Sequence, residues 1–122
     1  MNPEIFESLV AEAIDALPEF FQAKLDNVEV VVEDWPDAAT LRRAGVQHST
    51  QLLGFYYGVP QTRRTHHYGL VLPDKITLYR RPIELRCRTV DEARQMTYSV
   101  LRHEIAHHFG ISDARLRELG AY

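Results

Sequence analysis

The sequence has few of the residues that could hold a small protein together covalently. Its 122 residues include one cysteine, Cys87, which excludes an internal disulfide, a zinc knuckle and a dithiol redox pair. A chain of this length buries roughly two thirds of its unfolded surface, which is enough for one core. We therefore predict a single domain over residues 1–122, in which a bound metal would serve function and not hold the fold.

Long apolar runs and a strong charge of one sign are also missing. No apolar stretch approaches the roughly 18 residues of a membrane span, and the N-terminus carries acids where a signal peptide needs basic residues. The 14 Lys and Arg against 17 Asp and Glu give a net charge of −3, which provides no general attraction to nucleic acid or anionic membranes. The sequence predicts a cytoplasmic chain without membrane contact and disfavours a nucleic-acid partner.

The hydrophobic pattern predicts a helix, then strands, then a second helix. Apolar residues recur at helical spacing over residues 5–17, and Pro18 can end that helix or begin another turn. The β-branched run NVEVVVE, residues 27–33, predicts a mostly buried strand. The stretches QLLGFYYG, residues 51–58, and DKITLYR, residues 74–80, alternate as strands do. We expect a small sheet that is antiparallel in part.

The last helical pattern covers TVDEARQMTYSVLRHEIAHHFG, residues 89–110. Thr89 and Glu92 form an S/T-x-x-E capping box at its start, and Gly110 stands where a helix commonly stops. The stretch HEIAHHFGISD, residues 103–113, therefore begins on the last turns of a long helix.

This stretch has the residue types and spacing of a catalytic metal site. His103 and His107 stand four residues apart, on adjacent turns of one helix face, and can supply two of the three protein ligands of a catalytic zinc. Glu104 is angled away from ligation and is the general base of HExxH chemistry. After a turn at Gly110, the carboxylate of Asp113 can return to the ion as third ligand. We predict one Zn²⁺ per chain, although iron, nickel or cobalt can occupy similar ligand sets.

The same residues resemble the small bacterial zincin-like metallopeptidases, which carry an HExxHxxGxxD motif near the C-terminus. The likeness extends to LLGFYYGVPQTRR, LPDKITLYRRPIEL and LRELG, and so to nearly the whole chain. The resemblance implies His103, His107 and Asp113 as zinc ligands and Glu104 as catalytic acid and base. It also implies an α+β fold like a truncated metzincin, with a small twisted sheet packed on the long active-site helix, beside the predicted N-terminal helix.

The expected activity is hydrolysis of peptide bonds by a metal-activated water, with Glu104 moving the proton to the leaving amine. A carboxylate ligand, Asp113, adds negative charge and weakens the metal as a Lewis acid, so we expect slow or selective turnover. The partner would be a peptide or protein substrate added to a sheet edge, for which HHYGLV, residues 66–71, and KITLY, residues 75–79, are candidates. A second chain could complete the cleft.

Two functions of other classes stay open. Endoribonucleases of rRNA maturation use an H-x3-H-x5-H site of nearly the same spacing, although their motif lacks a glutamate after the first histidine. RNA binding that fell steeply with salt would favour that function. The other alternative is a zinc-containing peptide-binding module with little or no catalysis.

Several further polar residues have a structural explanation that is simpler than a catalytic or binding role. His108 points about 100° away from His107 and is expected at the surface or behind the ligands, and Tyr98 is expected in the core. A solvated sheet edge protected against aggregation explains the arginines of the middle of the chain, with a substrate-carboxylate or nucleic-acid role as the alternative; these are Arg63, Arg64, Arg80, Arg81, Arg86 and Arg88. His66 and His67 are expected at the surface, with the lining of the substrate cleft as the alternative. Tyr68, Tyr98 and Tyr122 are candidates for a phenol that stabilises the transition state.

Overall fold

The computed structural model describes residues 1–58 and 72–118, and of Asp113 the backbone alone. Within these ranges the helices are α1 (Pro3–Ala16), α2 (Glu19–Lys24), α3 (Ala38–Ala44), α4 (Arg80–Glu84), α5 (Val90–His108) and α6 (Asp113–Glu118). The strands are β1 (Val28–Glu33), β2 (Gly54–Tyr57) and β3 (Asp74–Tyr79). The predicted α+β class is confirmed.

The three described strands form one mixed sheet in the order β1-β3-β2. Strand β3 is central, parallel to β1 and antiparallel to β2, which confirms the expectation of a partly antiparallel sheet. KITLY was wrong as a substrate-binding edge, because residues 75–79 belong to this central strand. HHYGLV lies outside the described residues. Strand β1 is half-buried and not mostly buried as predicted, since it has a neighbour on one side only among the described strands.

Helix α5 is held from two sides, by α1 and by strands β2 and β3. Its buried residues Leu101, Ile105 and Ala106 join the core formed by α1 and the sheet. The core consists of Phe6, Val10, Ala13, Leu17, Phe21, Ile76, Leu78, Ile83, Leu101, Ile105, Ala106 and Leu116. This is the expected arrangement of a small sheet packed on a long helix with an N-terminal helix beside it.

The predicted start of α5 is confirmed, with one difference in its cap. The Thr89 side chain accepts a hydrogen bond of 3.1 Å from the Glu92 backbone N–H. The Glu92 carboxylate accepts instead from the backbone N–H of Arg88, so the reciprocal half of the capping box is displaced by one residue. Within the described ranges, no helix is long and apolar enough to cross a membrane.

Strand β2 approaches α5 closely at Gly54. A Cβ atom at this position would lie 2.8 Å from Cγ1 of Val100 and 3.3 Å from Cδ2 of Leu78. Carbon atoms that are not bonded prefer separations of about 3.5–4.0 Å. Glycine is therefore required here for the strand to lie this close to the helix.

We expect Gly54→Ala to lower the free energy of unfolding by about 1–3 kcal/mol, because the new methyl group overpacks against α5. Val100→Ala removes the atom that the methyl group meets, so the double variant should lose less stability than the sum of the two single variants. Urea denaturation of the four proteins measures this. If the stability losses of the two single variants add up to the loss of the double variant, the predicted contact between position 54 and Val100 is wrong.

Candidate active site

The last turns of α5 bring two histidines together. The ring centres of His103 and His107 lie 5.9 Å apart, with an angle of 61° between the ring planes. Two imidazoles bound to one tetrahedral zinc have ring centres about 5 Å apart, given the usual zinc–nitrogen distance. A small adjustment of two side chains would therefore let both rings bind one ion.

The orientation of His103 is fixed by a backbone group of its own helix. Its Nδ1 atom lies 2.8 Å from the carbonyl oxygen of Ser99. A carbonyl oxygen only accepts hydrogen bonds, so Nδ1 carries the proton and the lone pair is on Nε2. Metal-binding histidines usually have this arrangement, in which the second nitrogen donates to a carbonyl or carboxylate.

Glu104 is half-buried beside this pair of histidines. Burial raises the pKa of its carboxyl group to about 7, while a hydrogen bond from the backbone N–H of Tyr56 acts in the opposite direction. A carboxyl group that titrates near neutrality can both accept and donate a proton. A dication bound nearby would favour the ionised form and lower this pKa.

The pairing of β2 explains why the Tyr56 N–H faces Glu104. The carbonyl of Leu53 accepts from the N–H of Tyr79 at 3.0 Å, so these two residues form a hydrogen-bonded pair. Hydrogen-bonded and non-hydrogen-bonded pairs alternate along antiparallel strands, which makes the Tyr56 and Ile76 pair a non-hydrogen-bonded one. The N–H of Tyr56 therefore points away from β3, to the side where it meets Glu104.

Gly110 ends α5 as predicted. It has a φ of 70°, its N–H donates to the carbonyl of His107, and the N–H of Ile111 donates to the carbonyl of Ala106. This is the Schellman pattern, which reverses the chain direction after a helix.

The reversed chain then enters α6, whose first residue is Asp113. Ser112 precedes it, and its Oγ atom accepts from the Arg115 N–H at 3.1 Å. Leu116 is fully buried and ties α6 to the core. The backbone of Asp113 thus follows the turn that the sequence predicts, while its side chain lies outside what the structure describes.

The donor set fits zinc as far as the described side chains reach. Two imidazoles converge at the end of α5, with one of them held in the required tautomer. Among the side chains described, no three His, Cys, Asp or Glu residues converge on one point, and the third predicted ligand, Asp113, is not in that set. The assignment of His103, His107 and Asp113 as ligands stays a prediction.

Arg80 of α4, and Arg86 just after it, bond to other parts of the fold. Arg80 is 8% exposed and donates to the carboxylates of Asp34 and Glu84 at 2.9 and 3.0 Å. Arg86 donates to the backbone carbonyls of Thr50 and Pro82. Arg80, Arg81, Arg86 and Arg88 lie in or after α4 and not on a strand, so their interpretation as a sheet edge was wrong. Arg81, Arg86 and Arg88 are exposed to solvent as predicted, whereas Arg80 is buried. Tyr98 packs against the core as expected. The other candidate side chains lie outside the described residues; these are Arg63, Arg64, His66, His67, Tyr68 and Tyr122.

Sequence reasoning missed two residues close to the site, Tyr56 and Asp74. The Tyr56 hydroxyl donates to Oδ2 of Asp74 at 2.9 Å, and the Tyr56 ring stacks on His108 at 3.7 Å between centres. The alternation of QLLGFYYG places Tyr56 on the same face of the strand as Gly54, and this face could have been predicted from the sequence. No feature of the sequence indicated that this face meets α5.

A mixed sheet packed on a long helix, with two histidines and a glutamate in the last turns of that helix, defines a minimal zincin-like domain. The sequence model of the zincin-like metallopeptidases matches residues 25–121, and the chain belongs to this family. A comparison with curated proteins gave no match. Membership in the family supports zinc-dependent peptide hydrolysis as the general class of activity.

We expect protein purified without added metal to contain close to one zinc per chain, and Asp113→Ala to lose most of it, because two imidazoles alone hold zinc weakly. Asp15→Ala, which changes an exposed aspartate of α1, is the matched control and should retain zinc. Elemental analysis after dialysis measures the content. Wild-type protein that neither contains nor takes up zinc would overturn the site.

Proposed function

We propose that this chain is a metallopeptidase in which His103, His107 and Asp113 hold a zinc ion and Glu104 is the general base and acid. The observation that carries the proposal is the convergence of the two imidazoles beside Glu104, with the Nδ1 proton of His103 fixed by the Ser99 carbonyl. This tautomer leaves the lone pair of Nε2 for a metal.

Zinc, when bound, supplies a Lewis acid that polarises the scissile carbonyl and increases the acidity of water. The protein's own contribution is to move the proton. Glu104 accepts a proton from the attacking water and then delivers it to the nitrogen of the leaving amine, so that the carboxylate is regenerated. Its half-buried position and the bond from the Tyr56 N–H hold the carboxylate in one orientation for both transfers.

The outer side of β2 is the proposed path of the substrate. Among the described strands β2 has one neighbour, β3, and the backbone carbonyl of Tyr56 points away from it. An extended peptide can add to a strand edge through backbone hydrogen bonds. A peptide in this position would pass beside Glu104.

We expect Glu104→Gln to reduce peptide hydrolysis by roughly 10²–10⁴-fold, because the amide cannot accept the proton. Zinc content should stay at the wild-type level, because Glu104 is not a ligand. Glu7→Gln, the same change at an exposed position of α1, should keep full activity. A library of fluorogenic peptides incubated with the zinc-loaded proteins provides the measurement.

The same set of proteins separates this function from its alternatives. Retained zinc with no hydrolysis of any peptide that depends on Glu104 would indicate a zinc-containing peptide-binding module. Zinc-dependent cleavage of RNA without cleavage of peptides would indicate the endoribonuclease. Either result would contradict the proposal.

A further inference from the structure

Tyr56 contacts three side chains at the end of α5, each through a different group. Its backbone N–H donates to the carboxylate of Glu104. Its hydroxyl donates to Oδ2 of Asp74 at 2.9 Å, and its ring stacks on the His108 ring at 3.7 Å with an angle of 9° between the planes. One residue therefore joins the proposed general base to two side chains that the reaction does not use.

The partners of the Tyr56 side chain come from two other elements. Asp74 is the first residue of β3 and is 6% exposed, so its carboxylate accepts a hydrogen bond in a place where water is scarce. His108 is the last residue of α5, and its Nε2 atom lies 3.7 Å from the same Asp74 oxygen. Strand β2, strand β3 and the end of α5 thus meet at the ring of Tyr56.

We infer that Tyr56 is a positioning residue, held by Asp74 and His108, that fixes the carboxylate of Glu104 for proton transfer. We name Asp74 and His108 together the Tyr56 clamp. The inference rests on the proposed function, since positioning matters only where Glu104 moves a proton. The clamp holds the end of α5 against β2 and β3 through the Tyr56 side chain, and thereby holds Glu104 within reach of the Tyr56 N–H.

The geometry separates this role from ordinary packing. The N–H of Tyr56 points away from β3, while its neighbours Phe55 and Tyr57 form the hydrogen-bonded pairs that hold the strand. The distance from this N–H to Glu104 depends on how the end of α5 lies against β2. The Tyr56 side chain holds these two elements together, because its ring stacks on His108 of α5 and its hydroxyl bonds to Asp74 of β3. A displacement of about 1 Å in a group that aligns the reaction can cost about 10²-fold in rate.

The neighbouring tyrosine is a matched control. The Tyr57 hydroxyl bonds to Thr40, and side chains of successive strand residues lie on opposite faces of the sheet. Tyr56→Phe and Tyr57→Phe therefore remove the same atom from adjacent residues, but only the first removes a contact of the clamp. Both variants keep a backbone N–H at position 56.

We expect Tyr56→Phe to lower kcat for the best peptide about tenfold or more, as removal of supporting bonds around metal sites does, with KM and zinc content unchanged. Tyr57→Phe should match the wild type. His108→Phe, which keeps a stacked ring, should retain more activity than His108→Ala. Equal losses in Tyr56→Phe and Tyr57→Phe, or no loss in either, would overturn the inference.

Amide hydrogen exchange of the full chain, measured by NMR with and without zinc, tests the clamp without any substrate. In the zinc-free protein we expect the Tyr56 amide to exchange faster in Glu104→Ala, which removes its acceptor, and also in Tyr56→Phe. It should exchange at the wild-type rate in Tyr57→Phe. If the amide at position 56 exchanges at the wild-type rate in Tyr56→Phe, the clamp is wrong, whatever the peptidase activity of that variant.

The two measurements keep the two proposals apart. If the wild-type protein shows no peptide hydrolysis that depends on Glu104, the proposed function is wrong, and the inference about Tyr56 is wrong with it. If the wild-type protein is active but Tyr56→Phe changes neither kcat nor the exchange rate of the amide at position 56, the clamp alone is wrong.

Discussion

Strand β2 lies against helix α5 at Gly54, where the absence of a side chain lets the strand backbone approach Val100. Glu104 follows Val100 by four residues and so lies one turn further along the same face of the helix. Tyr56 follows Gly54 by two residues on the strand, on the same face of the sheet. The close contact of Gly54 and Val100 therefore determines whether the Tyr56 N–H can reach the Glu104 carboxylate. A packing contact one turn away thus determines the surroundings of Glu104, the proposed acid and base.

The half-buried Glu104 opposes folding, and the rest of the molecule has to offset it. Removing a carboxylate from water is unfavourable unless the carboxylate is ionised beside a cation or forms hydrogen bonds. The apolar residues of α5, including Leu101 and Ile105, are fully buried between α1 and the sheet. Their burial stabilises the position of α5, and this offsets the unfavourable free energy of keeping Glu104 half-buried. Functional sites are commonly places where local stability is given up in this way.

The sequence predicts the parts of the site that a single helix determines. Spacing alone places His103, Glu104 and His107, and the Thr89 cap and Gly110 turn mark the ends of α5, because these are local rules of helix geometry. Contacts between elements were not predictable. The position of KITLY in the centre of the sheet depends on the strand order, and the bonds of Arg80 to Asp34 and of Tyr56 to Asp74 join residues that are distant in sequence. A pattern in one segment carries no information about which segment it will meet.

The end of α5 at Gly110 has an electrostatic consequence for the proposed metal site. Peptide dipoles aligned along a helix give its C-terminal end a partial negative charge equivalent to roughly half an electron. His103 and His107 lie in the last turns of α5, next to that negative end. A cation held by these two imidazoles is therefore favoured by the helix itself, typically by about 0.3–1 kcal/mol for each unit of charge at an exposed site. In the proposed site, helix α5 would thus provide two ligands and also a local electrostatic potential that stabilises a bound cation.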